Sequence, residues 1–160
     1  MKNVKSREAF TIMELMFVVL IGGILVAASI VGYNTLYVPQ QAEADIKRAG
    51  FVIGGVERVK NNVNRGAYLT QATATSIGSI QTLKDMMGGD VGATTVAGWT
   101  YQCPNGVNKT LTIVTDTYTD AAKQRQVVNG INAQHAPWRA SLDGNKIRIV
   151  NTPVTCAPLP

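Results

Sequence analysis

Residues 9–31 read Ala9-Phe10-Thr11-Ile12-Met13-Glu14-Leu15-Met16-Phe17-Val18-Val19-Leu20-Ile21-Gly22-Gly23-Ile24-Leu25-Val26-Ala27-Ala28-Ser29-Ile30-Val31, and after Glu14 no charged residue occurs until Glu43. An apolar run of this length suffices to span a bilayer as a helix. An acid inside such a run costs about 3 kcal/mol near mid-bilayer and less toward the edge. Glu14 therefore decides the reading: an ionisable group in a membrane-length segment is a functional residue by default and needs a partner. Ahead of the run, Lys2, Lys5 and Arg7 outweigh Glu8, a basic bias that places the N-terminus on the cytoplasmic side. Two plain readings exist. One is a cleaved secretory signal with Ala27-Ala28-Ser29 as its cut site, and the other is an uncleaved signal anchor. Neither gives a role to Glu14 or to the Phe10-Thr11 pair.

The stretch from Ala9 to Asn34 resembles the N-terminus of type IV pilins and related pilin-like proteins. In that family a short basic leader ends in a small residue, usually glycine. A peptidase cuts on the cytoplasmic face and methylates the new N-terminal residue, usually phenylalanine, and a glutamate stands five positions into the mature chain. The resemblance implies a leader of residues 1–9, a cut between Ala9 and Phe10, N-methylation of Phe10, and an assembly role for Phe10 and Glu14. Ala9 departs from the usual glycine but keeps the small size. Many family members also carry a proline just before the aromatic that Tyr33 matches. Here the first proline is Pro39, so the helix is expected to bend near Gly32 or Pro39.

Elementary electrostatics gives that assembly role a mechanism. Cleavage leaves a positive amine on Phe10, and Glu14 follows about one helical turn later. Each charge alone is costly in lipid, and pairing offsets the desolvation of both. The pair can form within one chain, where the helix N-terminus also favours an acid. The resemblance implies a pairing between subunits, in which Glu14 of an incoming chain meets the Phe10 amine of a chain already in the filament.

The chain has 160 residues and a formal net charge of +5, and loss of residues 1–9 leaves twelve bases and nine acids, a net +3. Lys47, Arg48, Arg58, Lys60 and Arg65 are better read as a solvated helix face than as a nucleic-acid surface at so modest a charge. Cys103 and Cys156 are the two cysteines. An even count beyond an export segment reads as one disulfide in an oxidising compartment, with two unpaired buried thiols as the alternative. Two cysteines and the single His135 do not make a metal set, and the resemblance also implies a disulfide tying the C-terminal segment to the sheet.

Beyond Tyr33, Ile46, Ala49, Ile53, Val56 and Val59 or Val63 recur at helical spacing. The expectation is one long helix over roughly 10–62, apolar on all sides in its first half and striped in its second. That division gives an apolar anchor over 10–38 and a head domain over 39–160. Ser76 to Met87 carries Ile77, Ile80, Leu83, Met86 and Met87 at helical spacing and stops at Gly88-Gly89. Thr94–Val96 and Trp99–Cys103 alternate as strands, Pro104-Asn105-Gly106 turns, and Thr110–Val114 returns. Asp120 or Thr119 caps a helix to about Ala133, with Val127, Val128 and Ile131 inward. Asp143-Gly144 turns a hairpin between Ala140–Leu142 and Lys146–Val150. The fold class expected is α+β, a long N-terminal helix packed on an antiparallel sheet, as in type IV pilins.

His135 has no acid or nucleophile beside it, Gly88-Gly89-Asp90 lacks a phosphate-loop lysine, and Asn108-Lys109-Thr110 is a short sequon of little weight. The reading is therefore a non-enzyme without cofactor or metal: a pilus subunit inserted in the bacterial inner membrane as a prepilin and polymerised into an extracellular filament. Its implied partners are further copies of itself, the prepilin peptidase-methylase and the inner-membrane assembly machinery. A type II secretion pseudopilin or minor pilin is the alternative. More remote is a membrane-anchored periplasmic binding module that never polymerises.

Overall fold

A computed structural model describes residues 11–89, 96 and 98–160. It divides into two compact units, residues 1–38 and 39–160. Helix α1 runs Ile12–Gly32 and helix α2 runs Val38–Asn62, joined without a break by a π-helical turn, Tyr33–Tyr37. The irregularity lies between the two positions expected for a bend, and local chemistry accounts for it. Pro39 has no N–H to give to the carbonyl four residues back. Within the turn Thr35 donates its hydroxyl to the carbonyl of Val31 at 2.9 Å, a back-bond that loosens helices.

The second unit is α+β. Ala42, Ile46, Ala49, Val52, Ile53, Val56 and Val59 form the buried stripe of α2, and they join one core with the sheet residues Tyr101, Leu111, Ile113, Ile147 and Ile149. The strands are β1 (Tyr68–Leu69), β2 (Gln71–Ser76), β3 (Thr100–Cys103), β4 (Gly106–Val114), β5 (Arg139–Asp143) and β6 (Lys146–Ala157). Their order is β1-β6-β4-β3-β2, with β5 also paired to β6. The sheet is mixed rather than antiparallel, because β1 runs parallel to β6 with Tyr68 opposite Cys156 and Leu69 opposite Ala157. A two-residue strand has no local signal for its direction. Tyr68 and Leu69 are held there by Asn64, whose amide donates to the carbonyls of Tyr68 and Ala157.

Two other expectations change. Ser76 ends β2 instead of opening a helix, and the Ile77–Met87 segment divides into a 3-10 turn, Ile77–Ser79, and a short helix α3, Gln81–Met86. Ile77, Ile80, Leu83 and Met87 are nevertheless buried, and Gly88 and Gly89 end the segment with φ of +88° and +73°. The C-terminal tail continues β6 to Ala157 rather than leaving the sheet after Val150. Thr94 and Thr95 lie outside the described residues.

Helix α4, Ala121–Gln134, begins as expected: Asp120 accepts from the backbone N–H groups of Ala122 and Lys123 at 2.8 and 3.1 Å. It sits tightly on α2. A side chain at Gly130 would place its first carbon 2.1 Å from Ile46 Cδ1, so the absence of a Cβ permits the contact. Asp45 of α2 meets Lys123 of α4 at 2.9 Å. Cys103 and Cys156, both fully buried, are joined as a disulfide with their Cα atoms 5.9 Å apart, linking the end of β3 to the end of β6.

Candidate assembly segment

The site expected from sequence is the N-terminal end of α1. Thr11 is its N-cap, extended at φ −70° and ψ 148°, and its side-chain oxygen accepts from the backbone N–H of Glu14 at 3.3 Å. The Thr11 carbonyl accepts from the same N–H at 3.0 Å and from that of Leu15 at 3.2 Å. Thr-x-x-Glu is the signature of a capping box, so Thr11 belongs to the site as the residue that starts the helix at Ile12. The spacing is present in the sequence, where the apolar surroundings of Glu14 overshadow it. The side chain of Glu14 is exposed in the first turn, where the partial positive charge of the helix end favours it. Ala9 and Phe10 lie outside the described residues.

Past Glu14 the helix is apolar and unpacked. None of its 21 residues is buried, and Leu15, Phe17, Leu20, Ile24, Leu25 and Val31 each keep more than half of their surface exposed. Gly22 and Gly23 have no atom within 4 Å of a hypothetical Cβ. Ile12–Gly32 is long and apolar enough to cross a membrane, and at 1.5 Å per residue it extends about 31 Å, the thickness of a hydrocarbon core. At its far end Tyr33 and Tyr37 stack face to face, with ring centroids 4.9 Å apart and planes at 28°.

The head carries a polar groove of about 620 Å³, lined among others by Glu57, Lys60, Tyr68, His135, Trp138, Asn151 and Pro153. It lies where β6 loses its neighbours on one edge, since β5 pairs with residues 146–150 and β1 with 156–157. Four of its polar side chains, Glu57, Lys60, Tyr68 and Asn151, are committed to one another. Tyr68 donates to Glu57 at 2.5 Å and accepts from Asn151 at 3.0 Å, and Lys60 donates to the other Glu57 oxygen at 3.2 Å. Burial, then the bond to Glu57, raises the Tyr68 phenol well above its ordinary range. His135 is half-buried, with its ring against the backbone of Gly50. No group of three or more His, Cys, Asp or Glu side chains able to hold a metal ion occurs among the described residues.

No protein-family model matches this chain, and no curated protein and no solved structure is found to be similar to it.

Proposed function

We propose that this chain is a structural subunit of a type IV pilus-like filament. It is inserted in the inner membrane as a prepilin, cut before Phe10, methylated there and polymerised through α1. The observation that carries the reading is a helix of 21 residues with no buried residue and a single acid, Glu14, in its first turn. An apolar surface of that extent requires a covering, first lipid and then the same helix of neighbouring copies. A head closed by a disulfide agrees with a location outside the cytoplasm.

The test is mass spectrometry of material sheared from the cell surface. The expected N-terminal peptide begins at Phe10 and carries one added methyl group. A chain that starts near Ile30, or that keeps Met1–Ala9, ends this reading. A chain processed at Phe10 but absent from the sheared fraction transfers it to a pseudopilin or minor pilin. Glu14→Ala is expected to abolish surface filaments while leaving the membrane-inserted precursor at its normal level. A binding module that never polymerises would keep its function in that variant.

A further inference from the structure

We propose that the Tyr33–Tyr37 pair is an interfacial anchor, seated among the lipid headgroups of the outer leaflet of the inner membrane, and that it fixes the depth of α1 so that Glu14 lies at the opposite, cytoplasmic interface. The proposal rests on the membrane-inserted precursor just described and assigns that segment its register in the bilayer.

Three observations carry it. First, the two rings are exposed, 56% and 48%, and stacked on the π-helical turn. Residues four apart stand about one turn apart on a helix and share a face. The result is a single amphipathic plate with two hydroxyls, the chemistry that settles at the boundary between acyl chains and water.

Second, the plate stands where the apolar span ends. Every position from Leu15 to Gly32 is apolar or small, and the first charged residues beyond it, Glu43, Asp45 and Lys47, follow within three turns of Tyr37. Third, the distances close. Glu14 precedes Tyr33 by nineteen residues, about 28 Å along a helix, against a hydrocarbon core of about 30 Å. With the tyrosines at one headgroup layer, an upright or modestly tilted α1 delivers Glu14 to the other. The carboxylate then avoids the mid-bilayer penalty, and the residues immediately before it stand on the face where the leader's basic residues already place the N-terminus. Ser29, the one polar side chain in the second half of the span, hides its hydroxyl by donating to the Leu25 carbonyl at 2.7 Å, as a residue inside hydrocarbon must.

The experiment uses the full-length precursor in phosphatidylethanolamine–phosphatidylglycerol vesicles, with lipids brominated at graded acyl depths as fluorescence quenchers. Tyr33→Trp and Met13→Trp report the two ends. Trp99 and Trp138 are buried in the head, and their signal is subtracted with the unsubstituted protein. Both probes are expected to be quenched about twofold more by bromines near the headgroup than by those near the chain end, as interfacial indoles are. Adding Tyr33→Ala and Tyr37→Ala to Met13→Trp is expected to move that probe toward the chain-end bromines. Strongest quenching of the Tyr33→Trp probe at the chain end, or a Met13→Trp profile unmoved by loss of both tyrosines, overturns the proposal. The measurement involves neither cleavage nor assembly. A failed pilus reading with an intact depth profile, or the reverse, is therefore recognisable.

Discussion

Helices α1 and α2 are of similar length and follow one another through a single π-helical turn, yet they solve opposite problems. In α2 the apolar residues occupy one stripe, and Ala49, Val52, Val56 and Val59 are all nearly inaccessible. In α1 apolar residues occupy every face and none is buried. The first pattern is satisfied by the chain's own sheet, and the second finds no cover among the described residues. Hydrophobic content separates them first, since α1 holds one charged residue, Glu14, and α2 holds seven. The angular distribution of the apolar residues then shows which surface of each helix needs a cover.

Substitutions that unsettle one region and spare the other sharpen this contrast. The largest effect on the head is expected from the disulfide. Closing the 53-residue separation between Cys103 and Cys156 stabilises by roughly 4 kcal/mol on loop-entropy grounds. A Cys103→Ser/Cys156→Ser pair should lower the denaturant midpoint of the head accordingly, while the far-ultraviolet helicity of α1 in vesicles stays as it was. A midpoint that does not move would mean that the core alone holds β6 in place.

Next comes Gly130→Val, which drives a side chain into Ile46 and should destabilise the head by about 2 kcal/mol, as overpacking does. Its counterpart in the first region is Gly22→Val, where no atom lies within 4 Å. That change should leave the melting of the head untouched, and a shift of more than a degree or so would break the comparison. A smaller loss, about 1 kcal/mol, is expected for Asp120→Ala, which removes the cap of α4.

The pH response is the subtlest. Tyr68, Tyr101 and Tyr118 all have phenols raised by burial, with the nearby carboxylates of Glu57 and Asp45 adding to the effect on Tyr68 and Tyr118. The folded state therefore retains protons that the unfolded chain releases from about pH 10 upward. Stability is whole below that pH and falls as pH rises toward the folded values. Thermal melts from about pH 8 to about pH 11.5 should show a decline that begins near pH 10 and is confined to the head. Tyr68→Phe should make it shallower.

Much of this arrangement was legible in residue order. The α2 stripe, the β3–β4 and β5–β6 hairpins and the Asp120 cap each have a local cause, whether periodicity, a glycine turn or a short acid before a helix. Gly144, for example, adopts φ +60° between Asp143 and Lys146, as a two-residue turn requires. What escaped had no local cause. β1 is two residues long, and β2 reads Gln-Ala-Thr-Ala-Thr-Ser, largely polar and without a buried residue; both are edge strands created by their partners. The end of β6 was hidden by Pro153, which argues against a central strand. It is tolerated because residues 151–155 have a neighbour on one side only. At the candidate assembly segment, Glu14 and the apolar run stood out by composition. The π-helical turn has its local cause in Pro39 and Thr35, but the stacking of Tyr33 on Tyr37 depends on the backbone geometry of that turn.

The place of β6 has a consequence for the order in which the head comes into being. It follows every other described strand, yet it touches β4, β5 and β1, and it carries the second cysteine close to its end. A nascent chain stopped at Asn145 owns α2, α4 and the β2–β3–β4 meander but has nothing to place between β4 and β1. Such a chain leaves Ile113 and Leu111 without their cross-strand partners Ile149 and Asn151. The sheet therefore closes only once β6 is in place between β4 and β1, as an arch is closed by a keystone. Proteolysis or premature termination that takes away β6 removes the keystone, not an expendable tail.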